Sequence, residues 1–445
     1  MKKILKFSLV KISVILLMGI FLGVVWHWLY IFPFPQLHSW KYKHDEGGTK
    51  SSQPDVDTPG RWHKIKHPEQ TDGLTEEQKK MIKRLESIGY MAGTQEPSEK
   101  SNITIYDKKH AYKGLNFLIS AHSPEAILMD MEGNILHKWK CDLTRAWPDY
   151  KPHTHLPSHY FWRRAQLLEN GDIIVIFSGC GTIKLDKDSN IIWTVFNQAH
   201  HDFYIDKNDK IYVLTREARI NKKYNENKPI LEDYICILDK NGKQLGKISI
   251  LEEIEKSKFS PILNRVESWG DITHTNTVEV IERRTSIPEF TPGRILLSIL
   301  SLDLVCLLDV DKGVVWGESD LWSEQHQSTL LDNDNILVLD NKGIKNHSRI
   351  IEFNPVTREF VWVYGGTEQE PFYTPTCGSC QRLPNGNTLI IETDAGRAFE
   401  VTPDKTIVWE YINPHRAGKN NEYVASLHEV IRIPSDFPLD WLTAP

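Results

Sequence analysis

Histidine is the residue type whose placement in this 445-residue chain suggests a chemical role. The chain has 18 histidines, and those at His200–His201, His274 and His326 open equivalent hairpins of a repeat. A neutral imidazole is a competent nucleophile near pH 7, and neighbouring imidazoles can donate hydrogen bonds where negative charge develops. One such histidine alone would be an ordinary surface or core residue. Several in phase predict one shared site where their hairpins converge.

The elements that carry these histidines are hairpins of two alternating types. In the first type an apolar strand, a turn rich in acidic residues, Asn and Gly, and a second apolar strand end in Trp. This type ends at Trp139, Trp193, Trp316, Trp362 and Trp409, and a variant without Trp covers residues 234–245. Hairpins of the second type begin at Gln166, His201, Ser328 and Gln381. Turn pairs such as Asn170-Gly171, between runs of Ile, Leu and Val, are strong hairpin signals.

The spacing of the repeat predicts the fold class. Successive terminal Trp residues are 54, 123, 46 and 47 positions apart, and the interval of 123 contains the variant without Trp. A period of about 45–60 residues with four short strands per unit is typical of a β-propeller blade. The prediction is an all-β fold, a six-bladed β-propeller within about residues 113–412, with the remainder to Pro445 wrapping or closing the ring.

The N-terminal segment predicts a membrane anchor. Residues 12–32 are apolar and long enough to span a bilayer as a helix, and four lysines precede them. No cleavage site of small residues follows, so an uncleaved anchor is favoured over a cleaved signal peptide. We expect a cytoplasmic basic segment over 1–11, a single-pass transmembrane anchor over 12–32, a polar tether with one short helix over 33–112, and the propeller with its closing segment over 113–445. The positive-inside rule places the propeller outside the cytoplasm, in a periplasmic or extracellular location.

Composition excludes several other classes of protein. The net charge is -6, and no basic block is clustered enough to predict nucleic-acid binding. Six cysteines are too few for a disulfide-built scaffold. The Cys377–Cys380 pair lacks a second CxxC for zinc, which leaves a local disulfide or two free thiols open. His153 and His155 are best explained as part of a polar loop, so we predict no metal site and no cofactor.

The hairpins and their histidines together resemble the bacterial arylsulfotransferase (aryl-sulfate sulfotransferase) family. The strings that carry the resemblance are QLLENGDIIV, HHDFYIDKNDKIYVLTRE, HTNTVEV, QHQSTLLDNDNILVLDN and GSCQRLPNGNTLIIETDAGRAFEVTPDKTIVWEY, in this order over about residues 113–412. The resemblance implies a six-bladed propeller that moves a sulfuryl group from a phenolic sulfate ester to a phenol. It further implies a ping-pong route through a sulfated histidine and no nucleotide sulfate donor.

The same resemblance implies which residues act. The family's nucleophilic histidine lies in the motif that matches EQHQSTLL, which implies His326. A second site histidine matches His274, and a third lies in the segment matching HHDF, where either His200 or His201 fits. The small-molecule partners implied are an aryl sulfate and a phenol.

One position departs from the family pattern. The family has an arginine in a strand that matches residues 296–300, and here the corresponding residue is Leu300. The guanidinium of an arginine can donate two parallel hydrogen bonds to an anionic sulfate group, whereas leucine has no donor and no charge. Either Arg163 or Arg164, at a comparable strand start, substitutes for it, or the chain is a non-catalytic propeller that binds a ligand or protein partner through its channel. A quinoprotein-like dehydrogenase shares the fold class, but the sequence has no calcium-type carboxylate cluster or quinone-stacking Trp motif to favour it.

Overall fold

The computed structural model describes residues 58–64, 101–151, 157–344, 347–367 and 372–443. The predicted membrane anchor over 12–32, the short helix predicted within the tether, and the pair His153 and His155 lie outside these residues. Within the described ranges, no helix has both the length and the apolar character needed to cross a membrane.

About half of the described residues lie in strands and very few lie in helices, which confirms the all-β prediction. The first strands are β1 (Trp62–Lys64), β2 (Asn102–Tyr106), β3 (Gly114–Ser120), β4 (Glu125–Met129), β5 (Ile135–Lys140), β6 (Arg164–Leu167), β7 (Ile173–Phe177), β8 (Gly181–Leu185), β9 (Ile191–Val195) and β10 (Ala199–Ile205). They are followed by β11 (Ile211–Arg219), β12 (Ile230–Leu238), β13 (Gln244–Ser249), β14 (Gly270–Asp271), β15 (Thr275–Val280), β16 (Ile295–Ile299), β17 (Leu304–Asp309), β18 (Gly313–Glu318), β19 (His326–Leu330) and β20 (Ile336–Ile344). The last are β21 (His347–Phe353), β22 (Phe360–Tyr364), β23 (Ser379–Arg382), β24 (Thr388–Glu392), β25 (Arg397–Val401), β26 (Ile407–Ile412), β27 (Arg416–Ala417), β28 (Tyr423–Ala425) and β29 (Leu427–Pro434).

Helices are few and short. They are α1 (Leu143–Ala146), α2 (Ile250–Glu255) and α3 (Asp440–Thr443), with 3-10 turns at Pro157–His159, Ser260–Arg265 and Leu300–Leu302. The hydroxyl of Ser249 caps α2 by accepting a hydrogen bond from the Glu252 amide. Because the helices connect strands and cover no sheet face at length, the sheets themselves must bury the core.

The strands form sheets that follow the chain, and all their pairs are antiparallel except that of β12 with β14. Their orders are β6-β7-β8-β9, β10-β11-β12-β13 with β14 beside β12, β15-β16-β17-β18, β19-β20-β21-β22, β23-β24-β25-β26 with β2 outside β26, and β29-β3-β4-β5. A smaller sheet joins β1, β28 and β27. The last strand, β29, pairs with β3 and so completes the sheet of β3, β4 and β5.

The first strands of these sheets contact one another in a closed cycle. Strand β6 contacts β10, β10 contacts β15, β15 contacts β19, β19 contacts β23, β23 contacts β29, and β29 contacts β6. Apolar residues of neighbouring sheets pack between them, as where Phe117, Trp139, Trp162 and Phe177 share one cluster. Sheets stacked side by side around a common centre are the arrangement of a β-propeller.

The acidic turn residues have a direct structural role. The carboxylate of Asp186 accepts hydrogen bonds from the backbone amides of Asp188 and Asn190, and Asp239 does the same for Asn241 and Lys243. A side chain that satisfies two turn amides fixes the turn and therefore the register of its hairpin. This explains why the repeat carries Asp at the first turn position.

The recurring Trp residues join one sheet to the next. Trp139, Trp193, Trp316, Trp362 and Trp409 all lie in the fourth strand of their sheets. Four of the indoles donate to a carbonyl in a turn of the following sheet: Trp139 to Gly171 at 3.0 Å, Trp193 to Lys240 at 3.0 Å, Trp362 to Pro403 at 2.9 Å, and Trp409 to Met131 at 3.1 Å. The sequence repeat is thus a repeat of contacts between sheets.

Candidate active site

Local distortions turn polar side chains towards the centre of the ring. The pairing of β10, β15, β19 and β29 with their neighbours shifts register near the start of each strand, as in a β-bulge. Nearby, His201, His274 and Gln327 adopt left-handed backbone conformations, with φ of 51°, 50° and 43°. Such conformations are costly for residues other than glycine and tend to occur at functional sites.

His326 is held in one tautomer at the start of β19. Its Nδ1 lies 2.9 Å from Oδ1 of Asn341 and 3.2 Å from the Glu324 carbonyl, and both of these atoms are acceptors. The amide of Asn341 cannot turn over, because its Nδ2 donates to the carbonyls of Thr374 and Cys377 at 2.6 and 2.8 Å. Nδ1 must therefore carry the proton, which leaves the lone pair on Nε2.

The environment of His326 also keeps the ring uncharged. Burial, reinforced by the positive charge of Arg163, lowers the pKa of His326 to about 3. At neutral pH the imidazole is thus neutral, with a free Nε2 lone pair, which is the form needed by a nucleophile.

Three further histidines lie side by side. The Nδ1 atoms of His200 and His201 are 2.8 Å apart, so one carries a proton that the other accepts. The ring of His201 is next to that of His274, with centroids 4.7 Å apart. Burial lowers the pKa of both His200 and His201 well below the ordinary value.

Carboxylates and one arginine support this histidine group from behind. Nδ1 of His274 donates to Asp271 at 2.7 Å, and Arg216 donates to Asp271 at 3.2 Å and to Asp233 at 3.1 Å. Burial opposes ionisation of Asp271, but the hydrogen bond from His274 and the neighbouring positive charge lower its pKa to about 2. Asp271 is therefore a carboxylate that orients the His274 ring, and His200, 2% exposed, lies 3.4 Å from Asp233.

A small cavity collects several of these side chains. It is lined by His201, His326, Arg163, Arg164, Asp202, Asn276, Gln327, Gly378, Ser379, His428 and Glu429. Of the pair that the sequence left open, His201 lines this cavity, and His200 lies behind it. His274 reaches the group through its ring contact with His201.

The two arginines differ in what they are free to do. Arg164 is bound to two buried carboxylates, Asp202 at 2.8 Å and Glu429. The Arg163 guanidinium lies 3.8 Å from the Cys377 sulfur and makes no ion pair with a carboxylate of the described residues. Arg163 is consequently the cation of this cavity that can meet an added anion.

Leu300 lies beside the histidine group. It follows β16 and starts a 3-10 turn, and its backbone amide donates to the His274 carbonyl at 3.1 Å. The position that resembles the family arginine is thus adjacent to the site, with an apolar side chain there.

A segment near the N-terminus also reaches this end of the ring. Strand β1 pairs with β28, and the preceding Arg61 donates to Asp394 at 3.0 Å, to Thr376 at 3.2 Å and to the Cys377 sulfur at 3.5 Å. Cys377 and Cys380 are free thiols, so of the two states left open for them the structure has the reduced one. Burial raises the pKa of Cys380 to about 12, which makes it a poor thiolate.

One group outside the cavity has a composition suited to metal. Nitrogen and oxygen atoms of His122, Glu125 and His415 lie within 4.8 Å of one another. The two imidazoles are stacked in parallel, however, with centroids 3.3 Å apart and planes at 9°. Parallel rings direct their nitrogen lone pairs alongside each other and not towards one point, so the geometry is that of a stacked pair in which His122 bonds Glu125.

Several residues of the site were not found by sequence reasoning. Asn341 and Arg216 lie inside strings that carry the family resemblance but were not singled out there, and Asp271 and His428 lie outside those strings. Asp271 stands three residues before His274, and a His–Asp pair at that spacing was a usable signal. His428 opens an apolar strand as His326 does, but it lies past the last recognised hairpin.

Comparisons with known proteins bear on this arrangement. The model of the arylsulfotransferase (ASST) family matches residues 164–414, which is more than half of the chain. No sequence match to a curated protein was found.

Several solved structures share parts of the strand arrangement. A Bacteroides caccae protein of unknown function has 11% identity over 72% of this chain and 99% of its own, with a TM-score of 0.47. A catalytically inactive virginiamycin B lyase from Staphylococcus aureus with quinupristin has 9% identity over 74% and 99%, with a TM-score of 0.38. BamB from Moraxella catarrhalis has 11% identity over 73% and 81%, with a TM-score of 0.29. None of these is similar enough to support a statement about function. The family model, in contrast, matches more than half of the chain, and this match shows that the chain belongs to the arylsulfotransferase family.

Proposed function

We propose that the protein transfers a sulfuryl group from a phenolic sulfate ester to a phenol through a sulfohistidine on His326, without a nucleotide sulfate donor. The observation that carries this proposal is the state of His326: a neutral ring whose Nδ1 proton is held by Asn341 and whose Nε2 makes no hydrogen bond with the described residues. Membership of the arylsulfotransferase family supports the same reaction class.

The reaction divides into two displacements. In the first, the Nε2 lone pair of His326 forms a nitrogen–sulfur bond while the sulfur–oxygen bond of the ester breaks, and the phenolate leaves with the bonding electrons. In the second, the acceptor phenol passes its proton to water, replacing the proton that the released phenolate takes up, its oxygen bonds the sulfur, and the nitrogen–sulfur bond breaks to return the pair to Nε2. A covalent intermediate replaces one difficult step by two easier ones.

The other histidines stabilise charge during these steps. His201 lines the cavity with His326, and His274 is held against it by Asp271. We assign His201 a role in donating a hydrogen bond to the sulfuryl oxygens and the departing phenolate, where negative charge develops. The Nδ1 proton of His274 is already given to Asp271, so the part of His274 is to hold the His201 ring in place. His200 supports the ring of His201 from the buried side, and contact with substrate belongs to His201.

Arg163 takes the place of the family arginine, whose own position is occupied by Leu300 in this chain. Arg163 lines the cavity, and its positive charge helps to lower the pKa of His326. Its guanidinium forms no ion pair with a carboxylate of the described residues. Arg164, by contrast, neutralises Asp202 and Glu429 and maintains the shape of the cavity. A guanidinium suits a sulfuryl group because it offers several donors in one plane.

We further propose the finer architecture and the location. The sheets whose first strands form the closed cycle are six blades of one propeller, with β29 closing the first blade. Residues 12–32 form a single-pass anchor, and the lysine-rich start of the chain remains in the cytoplasm. Protease added to intact cells should then digest the propeller, and full protection would contradict this orientation.

The catalytic proposal is tested with the full chain in membranes or detergent. With 4-nitrophenyl sulfate and phenol, the wild type should release nitrophenolate, and His326→Ala should release none. With donor alone, one sulfuryl group should appear on a peptide that contains His326, measured near neutral pH because the bond is acid-labile. His137→Ala is the matched control, since His137 lies on an outermost strand and contacts Trp139. Activity retained in His326→Ala would refute the proposal.

One observation favours a second candidate function. Leu300 removes a donor from the site, and losing one preorganised donor typically costs about 100–1000-fold in rate. If neither the wild type nor Leu300→Arg releases nitrophenolate, the chain is a propeller that binds a ligand or protein partner through its channel without turning it over.

A further inference from the structure

His428 occupies the same structural position as the histidines already described, in the strand that closes the ring. It is the second residue of β29, and the pairing of β29 with β3 shifts register between Leu427 and Glu429, so His428 is the bulged residue. Only 3% of its surface is exposed, and it lines the cavity together with His326 and His201.

The imidazole of His428 has no polar partner within the described part of the chain. Neither Nδ1 nor Nε2 accepts or donates a hydrogen bond, and the ring stacks on Phe161 with centroids 4.8 Å apart and planes at 17°. The Ser379 hydroxyl, which lines the same cavity, is also buried without a partner there. Leaving a buried polar group unsatisfied costs about 1–3 kcal/mol. Unpaired donors facing one cavity are therefore costly unless a ligand fills it.

The charges around His428 favour an anion. Burial and then the positive charges of Arg163 and Arg61 lower the pKa of His428 well below its ordinary value. The ring is therefore neutral and has one N–H donor and one lone pair. The two guanidinium groups that surround it approach the same Cys377 sulfur, Arg61 at 3.5 Å and Arg163 at 3.8 Å.

We propose that His428 is a further substrate-binding residue, whose ring N–H donates a hydrogen bond to an oxygen of the sulfuryl group in the cavity. The proposal rests on the proposed function, since it assigns a ligand to the same site. His428 lies beyond residues 164–414, so the family match does not include it. The C-terminal strand would then complete both the ring and the site.

A substitution that keeps the ring stack but removes the nitrogens separates a binding role from a packing role. In His428→Phe the orphaned polar atoms are gone, so the midpoint of thermal unfolding should rise. Affinity for inorganic sulfate, measured by titration calorimetry on the full chain, should fall about 10- to 150-fold, as expected for a lost hydrogen bond to a charged group. His428→Gln keeps an N–H donor and should lose less. The matched control is His415→Phe, a half-buried imidazole in a stacked pair outside the cavity, which should leave sulfate affinity unchanged.

Each outcome decides the proposal. Weaker sulfate binding in His428→Phe, with higher thermal stability and a milder loss in His428→Gln, supports it. Sulfate binding equal to wild type in His428→Phe, or no sulfate binding by the wild type, overturns it. If the wild type binds sulfate through His428 yet transfers no sulfuryl group, the proposed function fails while this site stands. Should His428→Phe not fold, His428→Leu replaces it in the same measurements.

Discussion

The role of Asn341 gives the sharpest test of the nucleophile. In Asn341→Leu the Nδ1 proton of His326 loses its acceptor at 2.9 Å and retains only the Glu324 carbonyl at 3.2 Å. A buried hydrogen bond contributes about 0.5–1.5 kcal/mol net, and an unsatisfied buried partner costs about 1–3 kcal/mol. If 1–3 kcal/mol of this appears in the transition state, kcat/KM should fall about 5- to 150-fold, since 1.36 kcal/mol corresponds to a factor of ten.

The same substitution must destabilise the fold, so a control has to separate the two effects. The Cys377 carbonyl loses its Asn341 donor, whereas the Thr374 carbonyl still accepts from Ser348 at 3.3 Å. Asn413 is an equivalent buried amide, and its Nδ2 donates to Ser120 and to the Ala425 carbonyl at 2.7 and 2.9 Å. Asn413→Leu should therefore cost similar stability without changing the transfer rate.

The assay is nitrophenolate release from 4-nitrophenyl sulfate with phenol, corrected for the folded fraction from urea unfolding. In the wild type the sulfuryl group trapped with donor alone should be on Nε2 of His326, as nitrogen-resolved NMR of labelled histidine can determine. A transfer rate in Asn341→Leu that equals that of Asn413→Leu would refute the tautomer argument, as would sulfation of Nδ1.

Three more predictions follow from the geometry. If Arg163 is the donor that replaces the family arginine, Arg163→Leu should lower kcat/KM about 100–1000-fold. Adding Leu300→Arg to that variant should restore part of the loss. Unchanged nitrophenolate release in Arg163→Leu would contradict this role. The pKa of His326 is lowered to about 3 in the native state, so between pH 6.5 and 3 the unfolded chain binds a proton that the native chain does not. His326 therefore makes the free energy of unfolding fall with decreasing pH, by up to about 1.4 kcal/mol per pH unit. Urea unfolding of His326→Gln across that range should show a shallower pH dependence. Trp409→Phe should lower the free energy of unfolding by about 1–3 kcal/mol, since it orphans a buried carbonyl, whereas Trp193→Phe, at a more exposed contact, should cost less.

The strands were predictable from the sequence because their signals are local. Alternating apolar runs, Asn-Gly pairs and a leading Asp each fix a hairpin through its own backbone, and the fourth-strand Trp residues mark the unit length. The remainder to Pro445 is predicted to wrap or close the ring, but strand β29 and its partner could not be identified from the sequence, because β3 lies some three hundred residues earlier in the chain. A pairing between the two ends leaves no periodic trace in either segment.

The site was predictable only in part, for a related reason. His326, His274 and His201 stand at strand starts, which the repeat locates, and the resemblance to the family added their roles. Asn341 acts through side-chain geometry that no spacing rule specifies, whereas Asp271 stands three residues before His274, a spacing that could have indicated the pair. In the sequence both are ordinary polar residues until the fold brings their side chains to a histidine.

The choice between Arg163 and Arg164 depends on the partners that each guanidinium already has, and not on position in the sequence. The two are adjacent in sequence and both line the cavity. Alternation along the chain aims one guanidinium at Asp202 and Glu429, whose buried charges it must neutralise, and the other at the Cys377 sulfur. Arg164 cannot move away without leaving two buried carboxylates unpaired, so of the two arginines it is Arg163 that can bind an incoming anion. Our proposal that Arg163 takes the place of the family arginine depends on this difference, and on the ring bringing the starts of its first strands to the same place.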